Sequence, residues 1–61
     1  MQDALEAYLS GRDDGIAGTR DNVRTQDPAT GADYRIGFLD GRVALFHIHA
    51  EVRRWLAEEA D

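Results

Sequence analysis

Few residues in this 61-residue chain could do chemistry, and their spacing limits what that chemistry would be. His47 and His49 form the one metal-like pair. On a helix, residues two apart point in nearly opposite directions, and helical metal pairs sit four apart. On a strand the two imidazoles would share a face, but no third ligand accompanies them, and a partly buried structural pair is the expectation. Asp13 and Asp14 are adjacent and therefore diverge, which suits a solvated polar face better than paired acid–base work. Ser10 is the only serine and has no histidine near it in sequence, whereas a nucleophile needs a base held by a third group. The Gly-x-x-x-Gly spacings lack the lysine and preceding strand of a phosphate loop. The sequence predicts a protein that is not an enzyme and takes no cofactor and no metal.

Composition narrows the class further. The chain carries 12 acidic and 7 basic residues, a net charge of −5, and every basic residue is arginine. That balance argues against generic DNA or RNA backbone binding, which depends on excess positive charge. Arg12, Arg20, Arg24 and Arg35 still form a candidate basic patch around the first glycine segment and the connection after it. Cysteine is absent, so disulfides and thiolate metal sites are excluded. The opening "MQDALEAYLSG" has neither a basic nor an apolar leader region, and no apolar run approaches the roughly 18 residues of a membrane span. A single small domain at residues 1–61, cytoplasmic and not membrane-bound, is expected. At this size a core is hard to build without oligomerisation.

The elements that must position these residues read as two helices. Residues 3–18, "DALEAYLSGRDDGIAG", open on Asp3 with Glu6 three positions on, a capping-box-like start. Leu5, Leu9, Arg12 and Ile16 fall on one stripe, and Ala4, Tyr8, Gly11, Gly15 and Gly18 on the next. Residues 19–31, "TRDNVRTQDPATG", are polar and read as a connection, in which Asp27-Pro28 can open a helical turn. Residues 32–61 form a long second helix, with Tyr34, Phe38, Gly41, Leu45, Ile48, Val52 and Trp55 recurring at spacings of four and three. A rival reading places a β-hairpin at 34–48 around Asp40-Gly41, giving an α+β fold. The heptad running unbroken through that turn favours the helix, and an all-α fold is the expectation.

Within those helices one pattern occurs twice. "YLSGRDDGIAG" from Tyr8 and "YRIGFLDGRVA" from Tyr34 share Tyr-x-x-Gly-x-x-Asp-Gly-x-x-small. Stripping side chains from one face lets two helix backbones approach closely. The repeat therefore predicts an antiparallel helical hairpin with a tight crossing at Gly11, Gly15, Gly18, Gly37 and Gly41, flanked by Tyr8 and Tyr34. The first helix would end alongside His49. Val52, Trp55 and Leu56 would then project as a candidate interface, covered by the same stripe of a second copy in a homodimer.

The segment "GIAG" at Gly15–Gly18, the x-Pro connection at Pro28 and Tyr34-x-x-Gly37-Phe38 resemble the ribosome modulation factor family over about residues 8–44. Those are very short bacterial proteins of two helices. The resemblance implies a helical pair that binds the small ribosomal subunit, with Gly15, Gly18, Pro28, Tyr34, Gly37 and Phe38 as shared structural positions. The family is strongly basic where this chain is acidic, and Asp27-Pro28 stands where the family has Cys-Pro. Two functions follow as expectations. One is a small regulatory binding protein on a macromolecular assembly such as the ribosome. The other is an acidic protein-binding inhibitor, of antitoxin or anti-defence type, that engages a basic partner.

Overall fold

The computed structural model describes residues 3–59 and holds three helices: α1 (Asp3–Ala17), the short α2 (Asn22–Thr25) and α3 (Gly31–Glu59). Among the described residues there is no strand, so the fold is all-α and the hairpin alternative at 34–48 is replaced by continuous helix. No described helix is long and apolar enough to cross a membrane. The molecule is elongated, 52 × 20 × 11 Å, because the 29 residues of α3 far outrun the 15 of α1.

Local chemistry sets the helix ends. Asp3 and Glu6 place negative charge in the first turn of α1, where it complements the helix dipole. Gly18, at φ +79°, ends that helix: its amide and that of Thr19 both bond the Asp14 carbonyl, the left-handed cap that glycine adopts without strain. Asp21 caps α2, its Oδ1 accepting from the amides of Val23 at 3.0 Å and Arg24 at 3.2 Å. Asp27 does the same before α3, accepting from Ala29 and Thr30, and Pro28 occupies the first position of that turn. Those amide bonds hold the Asp27 carboxyl below its usual range.

The packed face of α1 is the row Ala7, Gly11 and Gly15 rather than the leucine stripe; Leu5 and Leu9 point to solvent. On α3 the buried row is Gly31, Tyr34, Gly37 and Gly41. A core of glycines, Ala7 (1% exposed) and Tyr34 (0%) is small even for this length. Four interior helix glycines also sacrifice about 1 kcal/mol each in helix propensity. Close packing of one helix on the other must recover that loss.

The direction of that packing corrects the antiparallel expectation. Gly11 abuts the backbones of Tyr34 and Phe38, and Gly15, four residues on, abuts Phe38 and Arg42. Gly37 abuts Tyr8 and Arg12, and Gly41 abuts Arg12 and Ile16. Contacts advance together along both helices, so α1 and α3 run the same way. The physical reason lies in the connection. A helical hairpin needs about 2–8 residues. The 13 residues from Gly18 to Thr30 are enough to travel back along α3, past the roughly 22 Å length of α1. Ring contacts trace that return, with the Arg20 guanidinium over Phe38 at 5.5 Å and then that of Arg24 over Tyr34 at 5.6 Å.

Candidate functional site

The crossing is built from the repeat. Each motif residue in α1 has its equivalent twenty-six positions later in α3: Tyr8 and Tyr34, Gly11 and Gly37, Asp14 and Asp40, Gly15 and Gly41. The contacts between them are reciprocal. A Cβ added at Gly11 would lie 2.1 Å from the Tyr34 carbonyl oxygen, and one at Gly37 would lie 2.0 Å from that of Tyr8. At Gly15 and Gly41 it would lie 2.2 Å from the carbonyl oxygens of Phe38 and Arg12. Only glycine fits at these four positions, because every obstacle is backbone. Gly18 falls outside the crossing. A Cβ on Gly18 would meet only an Arg42 nitrogen at 3.4 Å, so this glycine serves the cap and not the crossing.

Hydrogen bonds repeat the same two-fold relation. The Tyr8 hydroxyl donates to Asp40 Oδ2 at 2.7 Å, and the Tyr34 hydroxyl donates to Asp14 Oδ2 at 2.5 Å. Tyr34 also accepts from the Asp21 amide at 2.9 Å, so one buried phenol ties α1, the crossover and α3 together. Burial, and then the bond to Asp14, push the Tyr34 hydroxyl above its ordinary pKa. Its half-buried counterpart Tyr8 is raised chiefly by the bond to Asp40. The sequence carried this signal: both copies of the repeat place an aspartate six residues after the tyrosine. A sequence reading centred on the glycines missed it.

The candidate basic patch is spread over the structure and largely engaged in packing. Arg20 and Arg24 lie over Phe38 and Tyr34, and Arg35 donates to the Thr25 carbonyl at 2.7 Å. Arg12 is exposed on α1, where its backbone forms part of the crossing. The guanidiniums of Arg20, Arg24 and Arg35 fasten the crossover down onto α3.

Chemistry-bearing residues do not converge. Asp14 is turned inward to Tyr34 while Asp13 is exposed, as adjacent helical positions require. His47 and His49 are both exposed on α3, which corrects the expectation of partial burial. Among the described residues no group of three or more His, Cys, Asp or Glu side chains is placed to hold a metal ion.

What remains is an apolar surface. Gly15, the last glycine of the crossing on α1, abuts Phe38 and Arg42, so the crossing lies well before His49. Beyond it Ile48, Val52, Trp55 and Leu56 are exposed, Trp55 by 67%, and a shallow groove of about 220 Å³ lies between Ile48, Glu51, Val52 and Trp55. Val23, on α2, is itself exposed. A second apolar face, with Ile36, Leu39, Val43 and Phe46, runs along α3 and is equally bare. In comparisons with family models, curated proteins and solved structures, nothing matches this chain.

Proposed function

We propose that this chain is a small, non-catalytic regulatory binding protein that works in the cytoplasm and acts on a macromolecular assembly through α3. One observation carries the reading. Among the described residues eleven large apolar side chains are exposed, eight of them on α3, against a buried core of two side chains and a few glycines. Contiguous exposed apolar surface of this kind marks an interaction site. The crossing makes α3 a rigid arm, and the half beyond α1 presents Val52, Trp55 and Leu56 to a protein surface. The ribosome is the assembly favoured by the family resemblance, and a second copy of the chain is the other partner, also held on α3.

A second reading has its own support. With most of the candidate patch occupied in packing and a net charge of −5, the surface is better suited to a basic protein than to RNA. That favours the acidic-inhibitor alternative. Sedimentation of the tagged protein with a cell extract at moderate salt separates the two. Co-migration with ribosomes that is lost in Trp55→Asp supports the first reading. Recovery of one discrete basic protein instead supports the second, and the absence of any partner contradicts both.

A further inference from the structure

We infer that the outer face of α3 is a parallel two-stranded coiled-coil seam that takes a second copy of this chain. The inference rests on the reading above, that α3 supplies the binding surfaces, and it identifies the occupant of one of them. Trp55 lies on a different face and stays available to another partner.

The seam is legible in heptad terms. Ala32, Leu39 and Phe46 occupy d positions, and Ile36, Val43 and Ala50 occupy a positions. The four large side chains are 55% (Ile36), 63% (Leu39), 53% (Val43) and 68% (Phe46) exposed, with no other helix among the described residues covering them. The row spans Ala32–Ala50, about 27 Å of helix. Two of the three a residues, Ile36 and Val43, are β-branched and one d residue, Leu39, is leucine; β-branched a with leucine d is the combination that favours two parallel strands. Grooves of about 350 Å³, bordered by Arg35, Ile36 and Leu39, and about 370 Å³, bordered by Arg42, Val43 and Phe46, lie along it, open to a facing helix.

Charge selects the partner and its direction. The g positions are Arg35, Arg42 and His49; the e positions are Asp33, Asp40 and His47. In a parallel pair each g residue meets the e residue five positions later on the other chain, so Arg35 meets Asp40 as the one opposite-charge pair, while Arg42 meets His47 and His49 meets Arg54 without attraction. An antiparallel pair would set arginine against arginine and aspartate against aspartate. Asp40 is already fixed at the edge of this face by the Tyr8 hydroxyl. Arg35 gives one N–H to Thr25 and has four more to offer.

The area agrees. A folded monomer of 6.8 kDa exposes roughly 3,950 Å² by the usual size scaling, and this chain exposes 4716 Å². The excess, roughly 750 Å², is summed over both apolar faces of an elongated molecule, and a specific interface takes ~800 Å² from each partner.

The test uses the full chain, which contains no cysteine. Single substitutions Ile36→Cys, Val43→Cys and Trp55→Cys are oxidised mildly at low micromolar concentration, beside sedimentation equilibrium of the unmodified protein. All three side chains are exposed, so the fold is expected to survive each substitution, as far-ultraviolet circular dichroism checks. Parallel pairing brings each a position against itself, within disulfide reach, whereas an antiparallel pair can do so only at its centre. The expected result is a two-chain mass, with disulfide dimers from both Ile36→Cys and Val43→Cys and little from Trp55→Cys. A one-chain mass at about 100 µM, or cross-linking confined to Trp55→Cys or to one seam variant, overturns the inference. Neither result bears on whether the chain sediments with an assembly, so the two readings fail separately.

Discussion

Gly37→Ala is the smallest change that interrogates the crossing. The new Cβ would lie 2.0 Å from the Tyr8 carbonyl oxygen, 2.8 Å from its carbon and 3.0 Å from the Arg12 nitrogen. All three are main-chain atoms, so no rotamer change relieves the clash. Ordinary carbon–oxygen contacts are about 3.3–3.6 Å. The helices must therefore part by more than 1 Å at this point, on the order of a small overpacking defect that typically costs about 1–3 kcal/mol. Parting also strains the reciprocal tyrosine–aspartate bonds, of which the Tyr34 pair, with its carboxylate acceptor, is worth about 1.5–3 kcal/mol if lost outright. Alanine returns about 1 kcal/mol of helix propensity. The net is a loss of about 2 kcal/mol, which for a domain of this length lowers Tm by roughly 8–16 °C. Thermal unfolding followed by circular dichroism at 222 nm reads it. The sign is decisive: a glycine on an open helix surface gains stability on this substitution, so a raised Tm for Gly37→Ala would refute the packing argument.

Gly41→Leu, with a larger side chain against the Arg12 carbonyl, is expected to be at least as damaging as Gly37→Ala, read by the same melt. Gly18→Ala should destabilise by strain at φ +79° rather than by clash, and Gly18→Asn should recover part of the loss, since asparagine tolerates the left-handed region. Tyr34→Phe leaves the Asp21 amide and Asp14 without their common partner and should cost about 1–3 kcal/mol in a urea titration. Tyr8→Phe, removing an exposed bond, should cost less. The raised Tyr34 pKa has a pH signature. Its folded value lies above the unfolded value near 10, so its stabilisation is complete below about pH 10 and is lost as pH climbs through the folded value. Stability should fall on the alkaline side, and Tyr34→Phe should flatten that fall.

Much of the fold can be read from spacing alone. The unbroken heptad from Tyr34 to Trp55 carries α3 through Asp40-Gly41, where a local turn rule points to a hairpin, because one continuous packed face outweighs a two-residue propensity. The glycines at 11, 15, 37 and 41 are legible as a crossing because they recur in register. Direction is not legible from the glycines, since small residues permit close approach either way. It follows from a feature beyond them, a connection too long for a hairpin, whereas the reciprocal Tyr8–Asp40 and Tyr34–Asp14 bonds fit either direction. Gly18 shares the spacing but not the role, because the helix has already ended there. The basic patch dissolves for a related reason. Arg20 and Arg24 pack on Phe38 and Tyr34, aromatic residues distant in sequence, and charge counting does not see that. The bare outer face of α3 shows how far a chain of this size is from completing its own core.

The central claim is that α1 and α3 run in the same direction about a local two-fold axis. Paired spin labels test it most directly, one pair at Leu5→Cys and Asp33→Cys, the other at Leu5→Cys and Glu51→Cys. The labelled protein is diluted into unlabelled chain so that only distances within one molecule are read. Asp33 and Glu51 are about 27 Å apart along α3. Parallel packing brings the start of α1 beside the start of α3, so the account predicts the 5–33 distance to be clearly shorter than the 5–51 distance. A 5–51 distance shorter than 5–33 would mean that the helices run antiparallel, and would contradict it.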